Sequence, residues 1–595
     1  MITDSTITER AQYWATAQVF DPETRREIAT LIEQNDAKEL TERFYRDLEF
    51  GTGGLRGILG AGTSRMNIYN VRKATTALAT YLKELHPGAQ DLKVALSHDS
   101  RHYSRAFAKA AAEVLAAHGI QALLTQALRP VPMLSFMTRH FGCAAGVCVT
   151  ASHNPPDYNG YKVYWRTGGQ LVPPHDKNII DIYARIKDYD QVKTIPFEEG
   201  IAQGLIKEVG AELDEAYFAR VKSLSMHAEG RAGFKIVYTP LHGAGLYPVT
   251  EMLKRYGFTD VQVVPEQREP DGSFPTVKSP NPEVPAAMDM ARALARKTDA
   301  DLILATDPDC DRIGMEIKVE DRYFRPNGNQ IGCLLNDYVL ASLKEQGRLP
   351  IHPLVVKTIV TTDLQADLAA EYGATCDETL TGFKWICQLI EDYETGKRQP
   401  KRDFVCGGEE SYGFLAGSFV RDKDAVIACS LAAEMVAYYK SKGLTVIQAL
   451  DRMFTKHGVY QETLADLTLP GKEGAEQIAH MMDRLRRDPP REIDGIPVQK
   501  IRDFETRQET SATGDGFVKS GDLTLPRSNV LQFMLNDGTK ISVRPSGTEP
   551  KIKFYVSVKA PEGKGQTGET LARIKSQATE RTKRIEDIFV AMAKG

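Results

Sequence analysis

The sequence predicts an α/β protein with three related mixed-sheet α/β domains and a smaller α+β domain at the C-terminal end. The first observation is the length of 595 residues. A single hydrophobic core stops growing at about 250–300 residues, so a chain of this length forms several domains. The second is a strand–helix–glycine pattern that occurs three times. The third is a change to shorter alternating apolar runs towards the C-terminal end. The predicted domains are 1–224, 225–323, 324–456 and 457–595.

The first predicted domain begins with a helical preface, residues 6–50, in which apolar side chains recur at helical spacing. The three copies of the repeat follow, each with a strand, a helix and a glycine that ends the helix. This pattern is typical of βαβ units, whose strands pair in parallel. The first strands of the copies are predicted at 92–96, 234–238 and 354–360. Each copy is followed by a polar loop, so similar domains with different loops can assemble one cleft.

The composition argues against several classes of protein. The formal net charge of −4 gives no indication of a nucleic-acid or membrane surface. The N-terminus lacks the features of a signal peptide, and no apolar run approaches the length of about 20 residues that a membrane span needs. The eight cysteines show no C-x-x-C pairing, which favours reduced thiols over a disulfide framework or a zinc site. We therefore expect a cytoplasmic protein that binds neither nucleic acid nor membrane.

Three carboxylates at alternate positions, Asp307, Asp309 and Asp311, follow a predicted strand at 302–305. In an extended chain, residues two apart face the same way, so the three can converge on a hard cation such as Mg²⁺. The spacing matches the start of a calcium EF-hand, but Arg312 replaces its required glycine. Three ligands would leave coordination positions open for a phosphate oxygen. A solvated acidic turn is the alternative interpretation.

Ser152 stands where a buried strand is predicted to end, because small apolar residues precede it and an Asn-Pro-Pro turn follows. The G-x-S-x-G motif of hydrolases is absent. A serine alcohol needs activation. A neighbouring base can take its proton, with His153 adjacent and Lys162 beyond a Tyr-Asn-Gly turn, or the serine can carry a phosphate with the help of a cation. The alternative is a turn that the serine hydroxyl itself caps.

Three further polar loops contain candidate phosphate or sugar contacts. The glycine-rich loop at 51–57 fits neither a Walker nor a Rossmann motif. It is either simply a mobile loop or a loop that directs Arg56 towards a phosphate. At 544–551, Arg544 and a Ser-Gly-Thr turn suit an anion, with an ordinary polar turn as the alternative. The loop at 407–413 pairs carboxylates with a hydroxyl, a set that suits sugar hydroxyls but is common elsewhere.

Together these loops resemble the phosphohexomutase family, which includes phosphoglucomutases and phosphomannomutases. The resemblance covers about residues 51 to 555, and each motif is modest alone, whereas the four in the family's order are specific. They are a phosphoserine loop, a Mg²⁺ loop, a sugar loop and a distal phosphate clamp, at 150–155, 307–312, 408–411 and 544–548. The helical preface and the length resemble the longer branch of the family, which includes phosphopentomutases and glucose-1,6-bisphosphate synthases. Phe383 stands where many glucose enzymes have tryptophan.

The resemblance implies a four-domain α/β protein with one loop of each domain in a central cleft. It implies that Ser152 carries a phosphoryl group and that Mg²⁺ is held by this phosphoserine and the three aspartates. The implied catalytic residues are Ser152, Lys162 as general acid and base, His153 and Arg56. The implied substrate-binding residues are Arg312, Thr381, Gly382, Phe383, Glu409, Ser411, Lys423, Arg544, Ser546, Gly547 and Thr548.

The activity implied by the resemblance is a Mg²⁺-dependent isomerase that interconverts glucose 1-phosphate and glucose 6-phosphate. It would act through a phosphoserine and a sugar 1,6-bisphosphate, which serves as activator and intermediate. The alternatives within the family are a phosphopentomutase for ribose or deoxyribose phosphates and a glucose-1,6-bisphosphate synthase. A serine-dependent sugar phosphatase belongs to another class, as does a non-catalytic sugar-phosphate sensor, against which the retained serine and aspartates argue.

Overall fold

The computed structural model describes residues 5–50, 54–469, 471–514, 516–546 and 551–594. Its backbone forms two compact units. Unit 1 contains the described residues up to Pro326 together with Phe383–Lys442. Unit 2 contains Asn327–Gly382 together with the described residues from Gly443 onward. The predicted limits of the four domains remain predictions.

Unit 1 begins with a helical segment, as the apolar spacing predicts. Its helices are α1 (Ser5–Thr16), α2 (Pro22–Glu33) and α3 (Ala37–Phe44). The side chain of Asp21 caps α2, because it accepts hydrogen bonds from the backbone N–H groups of Glu23 and Thr24. The helices bury an aromatic cluster that consists of Trp14, Phe20, Phe44, Tyr69 and Tyr189. Tyr69 and Tyr189 lie outside the preface, so the cluster packs the preface against the chain that follows it.

The end of α3 supports the chain that follows the first strand, β1 (Gly54–Ile58). The carbonyl of Arg43 accepts a hydrogen bond from the N–H of Ser64 (3.0 Å), and its guanidinium donates to the carbonyl of Ala61 (3.1 Å). Gly62 has a φ of +128°, and a Cβ at this position would lie 2.8 Å from the Arg43 carbonyl oxygen. Only glycine fits such a close approach, so the preface and the turn at 60–64 are packed as one piece.

The first mixed sheet of unit 1 has the strand order β1-β5-β4-β2-β3-β6. Strand β2 pairs in parallel with β3 and β4, whereas β5 pairs antiparallel with β1 and β4. The parallel pairs confirm the first predicted βαβ unit. After β1, the elements are α4 (Ile68–Leu85), β2 (Lys93–His98), α5 (Ser104–Ala117), β3 (Gln121–Thr125), α6 (Val131–His140), β4 (Ala145–Val149), β5 (Tyr158–Trp165), α7 (His175–Arg185), α8 (Phe197–Ala202), β6 (Ile206–Val209) and α9 (Ala211–Lys222).

The second mixed sheet has the order β11-β10-β9-β7-β8, with β7 parallel to both β8 and β9. This is the second predicted repeat, and its strand β9 leads into the aspartate loop. The elements are β7 (Lys235–Thr239), α10 (Leu246–Tyr256), β8 (Asp260–Val263), α11 (Pro265–Arg268), α12 (Asp289–Thr298), β9 (Leu302–Thr306), β10 (Ile313–Val319) and β11 (Arg322–Phe324).

The third stretch of the chain contributes to both units. Its elements are α13 (Gly328–Glu345), β12 (Pro353–Thr358), α14 (Leu364–Glu371), β13 (Thr375–Thr379), α15 (Phe383–Glu394), β14 (Asp403–Glu409), β15 (Gly413–Ala416), α16 (Ala425–Ser441) and α17 (Val446–His457). In unit 2, β12 and β13 pair in parallel and are joined through α14, as the third repeat predicts. In unit 1, β14 and β15 form an antiparallel hairpin.

The last stretch, in unit 2, is an antiparallel sheet with two long helices, as expected for an α+β domain. The strand order is β16-β23-β22-β21-β18-β19-β20, with β17 paired to β18. The elements are β16 (Val459–Thr468), α18 (Gly471–Arg487), β17 (Glu492–Ile493), β18 (Ile496–Asp503), β19 (Gln508–Thr513), β20 (Gly516–Asp522), β21 (Leu531–Leu535), β22 (Lys540–Pro545), β23 (Lys551–Ala560) and α19 (Gly568–Lys594). Within the described ranges, no helix combines the length and the apolar character needed to span a membrane.

Candidate active site

Ser152 lies just after β4 and is almost fully buried. Its φ of +51° is in the left-handed region, an unfavourable conformation for a residue with a side chain. The turn is capped by Thr150, whose hydroxyl accepts from the Ser152 N–H (2.9 Å). The Ser152 hydroxyl instead donates to Asp307 Oδ2 (2.8 Å) and lies 3.1 Å from His153 Nδ1. The interpretation of Ser152 as its own turn cap is therefore wrong, and the hydroxyl faces the aspartate loop.

The aspartate loop directly follows β9, and all three carboxylates are buried. One oxygen of each of Asp307, Asp309 and Asp311 lies within 4.8 Å of the others. Asp307 Oδ1 accepts hydrogen bonds from the backbone N–H groups of Asp311 (3.0 Å) and Arg312 (3.1 Å). Oδ1 of Asp309 and Oδ1 of Asp311 are buried without a hydrogen-bond partner among the described residues. The interpretation as a solvated acidic turn is thus wrong.

Unpartnered carboxylate oxygens in a buried position are costly, and a hard cation removes that cost by binding them. Oxygen-only donor sets of this kind suit Mg²⁺ and Ca²⁺ better than the softer metals that prefer thiolates or imidazoles. The residues present therefore fit a hard divalent cation. The two unpartnered oxygens, on Asp309 and Asp311, are the donors that the chain leaves available for it.

Two lysines partly compensate the aspartates. Lys162 Nζ, on β5, lies 2.7 Å from Asp309 Oδ2 and 3.9 Å from Asp311 Oδ2. Lys423 Nζ lies 3.1 Å from Asp311 Oδ2. Burial acts to lower the pKa of Lys162, but the Asp309 and Asp311 carboxylates outweigh it and raise this pKa above its ordinary value. The same balance, with Asp311 first among the carboxylates, raises the pKa of Lys423. Both lysines are therefore charged at neutral pH.

The carboxylates differ in their affinity for protons. Burial raises the pKa of Asp307 well above its ordinary value, and the neighbouring Asp309 and Asp311 charges add to the effect. Burial also raises the pKa of Asp311, although Lys423 partly offsets it. For Asp309, burial is outweighed by Lys162, which holds the pKa of this carboxyl below its usual range. The aspartates share their cations with other carboxylates, because Lys423 also contacts Asp422 and Arg312 also contacts Glu283, so carboxylates outnumber cations at the loop.

Two arginines and a histidine complete the surroundings of Ser152. Arg312 forms an ion pair with Glu283, and its Nε lies 3.8 Å from Asp311 Oδ1. Arg56, on β1, is exposed and donates to Asn154 Oδ1 (3.2 Å), which places it over the Ser152 loop. Burial, with the nearby charges of Arg312 and Arg56, holds the pKa of His153 well below its ordinary value. The imidazole is therefore neutral at pH 7.

The predicted sugar loop of unit 1 lies at the β14–β15 hairpin. Glu409 is the last residue of β14 and is buried, and Ser411 is half-buried in the turn that follows. Phe383 opens α15 and is also buried, with Lys423 Nζ 5.4 Å from its ring centroid. The ring thus packs beneath a cation that itself contacts the aspartate loop. The substrate-binding roles predicted for these residues remain predictions.

The remaining predicted substrate residues belong to unit 2. Thr381 and Gly382 follow β13, and Gly382 has a φ of +114°. Arg544 lies near the end of β22, and Ser546 directly after this strand donates its N–H to the Lys551 carbonyl (2.7 Å). Gly547 and Thr548 lie outside the described residues. The phosphate clamp remains a prediction.

Three residues that support the site were missed by the sequence analysis. Glu283 holds Arg312. Asp422 accepts from Lys423 Nζ (3.1 Å) and from the hydroxyl of Tyr164 (2.7 Å). Glu283 and Tyr164 lie outside every motif. Tyr164 alone could have been found from the sequence, because it follows Lys162 by two residues on β5 and therefore lies on the same face of the strand.

Models of three domains described as phosphoglucomutase/phosphomannomutase α/β/α domains I, II and III match residues 47–190, 215–319 and 327–456. Together they cover more than half of the chain. The chain belongs to the phosphoglucomutase/phosphomannomutase family. The predicted family and the predicted α/β fold class are confirmed, and the chain is a phosphohexomutase isomerase.

Curated relatives of this phosphohexomutase carry the name phosphoglucomutase. That of Staphylococcus epidermidis is 37% identical over 531 residues, which are 88% of this chain and 92% of the relative. One from Staphylococcus aureus is 36% identical over 538 residues, with 90% and 94% covered. These matches extend over most of both chains, so the likeness is not confined to single motifs.

Solved structures agree in fold. A phosphoglucomutase/phosphomannomutase family protein from Burkholderia thailandensis has a TM-score of 0.61 at 20% identity, with 90% of this phosphohexomutase and 97% of that chain covered. The open form of the Paramecium phosphoglucomutase parafusin has a TM-score of 0.65 at 18% identity, with 91% and 95% covered. At these identities the comparison concerns the fold alone.

Proposed function

We propose that this phosphohexomutase interconverts glucose 1-phosphate and glucose 6-phosphate through a phosphorylated Ser152 and a sugar 1,6-bisphosphate. The observation that carries the proposal is the bond from Ser152 Oγ to Asp307 Oδ2 (2.8 Å) at a buried, negatively charged loop. A serine in this place is next to a site that suits a cation, and a cation is what a phosphoryl group requires. The names of the curated relatives favour glucose as the sugar.

Asp307, Asp309 and Asp311, with the phosphate on Ser152, are the residues that would hold Mg²⁺. Bound there, Mg²⁺ would offset the charge of the phosphoryl group. The chain supplies the remaining positive charge through Lys162, Lys423, Arg312 and Arg56. Catalysis of phosphoryl transfer depends mostly on such charge compensation and on positioning.

In the first transfer, the bond from Ser152 Oγ to phosphorus breaks and a bond from the sugar hydroxyl oxygen to phosphorus forms. The hydroxyl proton ends on Ser152 Oγ, and Lys162 and His153 are the groups that carry it. His153 is neutral and lies 3.1 Å from Ser152 Oγ. Lys162 is protonated beside Asp309, so it is the acid of the pair. The bisphosphate then turns over, and its other phosphoryl group returns to Ser152 by the reverse steps.

The rest of the predicted set has binding roles in this proposal. Glu409 and Ser411 would hold sugar hydroxyls, and Arg544, Ser546, Gly547 and Thr548 would hold the phosphate that does not react. The segment of Thr381, Gly382 and Phe383 would contact the substrate.

The test uses purified enzyme, Mg²⁺ and glucose 1,6-bisphosphate labelled in its phosphates. Label is expected on Ser152 in the native enzyme and in Ser576→Ala, a control at the exposed face of α19, and none is expected in Ser152→Ala. A native enzyme that never acquires label on Ser152 contradicts the proposal. The relative kcat/KM for glucose, mannose and ribose 1-phosphates decides the sugar, and inorganic phosphate released as fast as isomer would indicate a phosphatase.

A further inference from the structure

A buried arginine that lies outside every recognised motif holds the Ser152 loop. The side chain of Arg101, which follows β2, is fully buried. Its Nη2 donates to the carbonyls of Ser152 (2.6 Å) and Asn154, and its Nη1 donates to those of Pro155 (2.8 Å) and Tyr158 (2.9 Å). One guanidinium thus satisfies four carbonyls of a single loop, including that of Ser152 itself.

Arg101 is in turn fixed from two sides. Asp99 accepts from the Arg101 backbone N–H (2.9 Å), and its carboxylate lies 3.5 Å from Arg101 Nε. On the other side, the guanidinium carbon lies 4.9 Å from the centroid of the Phe274 ring. A Cβ on Gly272 would lie 2.4 Å from the N–H nitrogen of His102, so the 272–274 segment is packed closely against this turn. The guanidinium therefore has little freedom.

These contacts act on the conformation of the nucleophile. Ser152 has left-handed backbone geometry, which persists only when the surroundings impose it. Carbonyl oxygens that point at one another repel unless a group with several hydrogen-bond donors lies between them. The planar guanidinium of arginine has five N–H donors that point in different directions, so it can bind all of these carbonyls at once. Pinning the Ser152 carbonyl fixes the side of the chain from which Oγ projects towards Asp307.

We propose that Arg101 is a positioning residue for phosphoryl transfer: it shapes the 152–158 loop so that Ser152 Oγ is presented to Asp307. The inference rests on the proposed phosphoserine function. It assigns to Arg101 an effect on the rate of transfer, because a misplacement of the reacting atom by about 1 Å costs about 100-fold in rate. A purely structural arginine would affect stability alone.

Arg231 provides a matched control in the same unit. It is also buried, donates to the carbonyls of Tyr256 and His227 and to Ser225 Oγ (2.7 Å), and pairs with Glu434. None of these partners belongs to the Ser152 loop. The two arginines thus share burial and carbonyl binding and differ in the segment that they hold.

The experiment compares Arg101→Lys with Arg231→Lys in the full-length enzyme. Both variants are expected to lower Tm, but only Arg101→Lys should lower kcat, by about 100-fold, with KM changed less than about threefold. The rate of phosphoryl transfer from labelled phosphoenzyme to glucose 1-phosphate in a single turnover should fall with kcat. In Arg101→Ala, added guanidinium ions should restore part of that rate. Equal loss of Tm in both lysine variants, with kcat and the transfer rate of Arg101→Lys near native, overturns the inference.

If Arg101→Lys does not fold, Asp99→Asn replaces it, with Glu434→Gln as its control. Asp99→Asn weakens the support of the guanidinium and should lower the single-turnover transfer rate by about tenfold, whereas Glu434→Gln should not. A native transfer rate in Asp99→Asn would overturn the inference. A native enzyme that takes no label on Ser152 would instead refute the phosphoserine function itself, whatever the variants do.

Discussion

Two ionic clusters, one in each unit, pair carboxylates with buried lysines, and they differ in what the pairing achieves. In unit 1, three aspartates face Lys162 and Lys423. In unit 2, Lys357 Nζ lies 2.8 Å from Asp363 and 2.7 Å from Glu378, and Lys540 Nζ lies 2.9 Å from Asp363. We call the first the aspartate loop and the second, formed by Lys357, Lys540, Asp363 and Glu378, the unit 2 network.

The two clusters differ in charge balance. In the unit 2 network, Asp363 and Glu378 meet Lys357 and Lys540, and Glu378 also pairs with Arg502 (3.3 Å), so the cations are at least as numerous as the carboxylates. Opposite charges outweigh burial at Lys357, whose pKa is raised, and at Asp363 and Glu378, whose pKa values are lowered, whereas burial lowers the pKa of Lys540. In the aspartate loop, the pKa values of Asp307 and Asp311 are raised, and two carboxylate oxygens lack hydrogen-bond partners among the described residues. A balanced buried cluster stabilises a fold, whereas an unbalanced one indicates a site that a ligand completes.

The largest effect is expected from a comparison of two buried serines, Ser152 for activity and Ser542 for stability. Ser152→Ala should lower kcat by at least about 10⁴-fold, because the covalent carrier is lost. Ser542→Ala, in unit 2, removes the acceptor of a bond from Gln532 Nε2 (2.9 Å) and should cost about 1 kcal/mol of stability with native kcat. Steady-state kinetics and urea unfolding measure both. Comparable activity in Ser152→Ala and Ser542→Ala would contradict the role of Ser152 as a covalent carrier.

Matched aspartates test the charge balance directly. Asp309→Asn removes one carboxylate from the candidate metal site, so it should lower kcat about 10²–10³-fold and raise the Mg²⁺ concentration needed for half-maximal activity. Its cost in free energy of unfolding should be smaller than that of Asp363→Asn, because Asp311 Oδ2 also lies within 4 Å of Lys162. Asp363→Asn leaves Lys357 and Lys540 short of a carboxylate, and it should destabilise by about 3 kcal/mol while kcat stays within about threefold. Activity against Mg²⁺ concentration and denaturant unfolding are the measurements. A reversed pattern would mean that the aspartate loop is the structural cluster.

A smaller effect is expected from Arg544, which the proposal assigns to the phosphate that does not react. Arg544→Ala should raise KM about 10–100-fold, the equivalent of one lost charge-assisted hydrogen bond, and leave the Mg²⁺ requirement intact. Arg527→Ala, at a side chain that is 72% exposed, should change neither quantity. Initial rates over a range of glucose 1-phosphate concentrations decide this. A lost Mg²⁺ requirement in Arg544→Ala would contradict separate metal and phosphate sites.

The smallest effect concerns pH and arises beside the unit 2 network. Burial raises the pKa of Glu462 to about 7 from its ordinary 4.5. The native state therefore binds a proton that the unfolded state releases between these values, so this contribution to stability is complete below pH 4.5 and is lost as pH rises through 7. Its upper limit is about 3 kcal/mol.

Unfolding free energies at pH 5 and pH 8 test the prediction for Glu462. Native enzyme should lose more stability over this interval than Glu462→Gln, whereas the pH dependence of kcat/KM should be the same for both. An equal pH dependence of stability in the two proteins would show that Glu462 titrates near its ordinary pKa. A changed kinetic profile would connect the unit 2 network to catalysis.

The features that could be predicted from the sequence are those that short motifs encode. Ser152 and Asp307 are 155 positions apart, yet the order of the family's motifs was enough to pair them, and their oxygens lie 2.8 Å apart. The parallel strands of the three repeats could also be predicted, with ends that differ from β2, β7 and β12 by one or two residues. The apolar residues of such a strand are neighbours in the sequence, so hydrophobic periodicity predicts the strand.

The rest depended on packing between distant segments. Arg101 and Glu283 are single charged residues without a spacing rule, and their partners appear only once the loops fold together. The excess charge at the aspartate loop could not be predicted either, because Lys423 is brought to Asp311 from more than a hundred positions away. The division of the third stretch between two units had no compositional signal.

The contact between the helical preface and the turn after β1 has a practical consequence. Arg43 holds the 60–64 turn through both its carbonyl and its guanidinium, and β1 carries Arg56. An engineered start between α3 and β1 would therefore remove a support of the 60–64 turn, which follows the strand that carries Arg56, a residue to which the proposal assigns a phosphate contact. A shortened version of the enzyme should therefore keep α3 if it is to remain active.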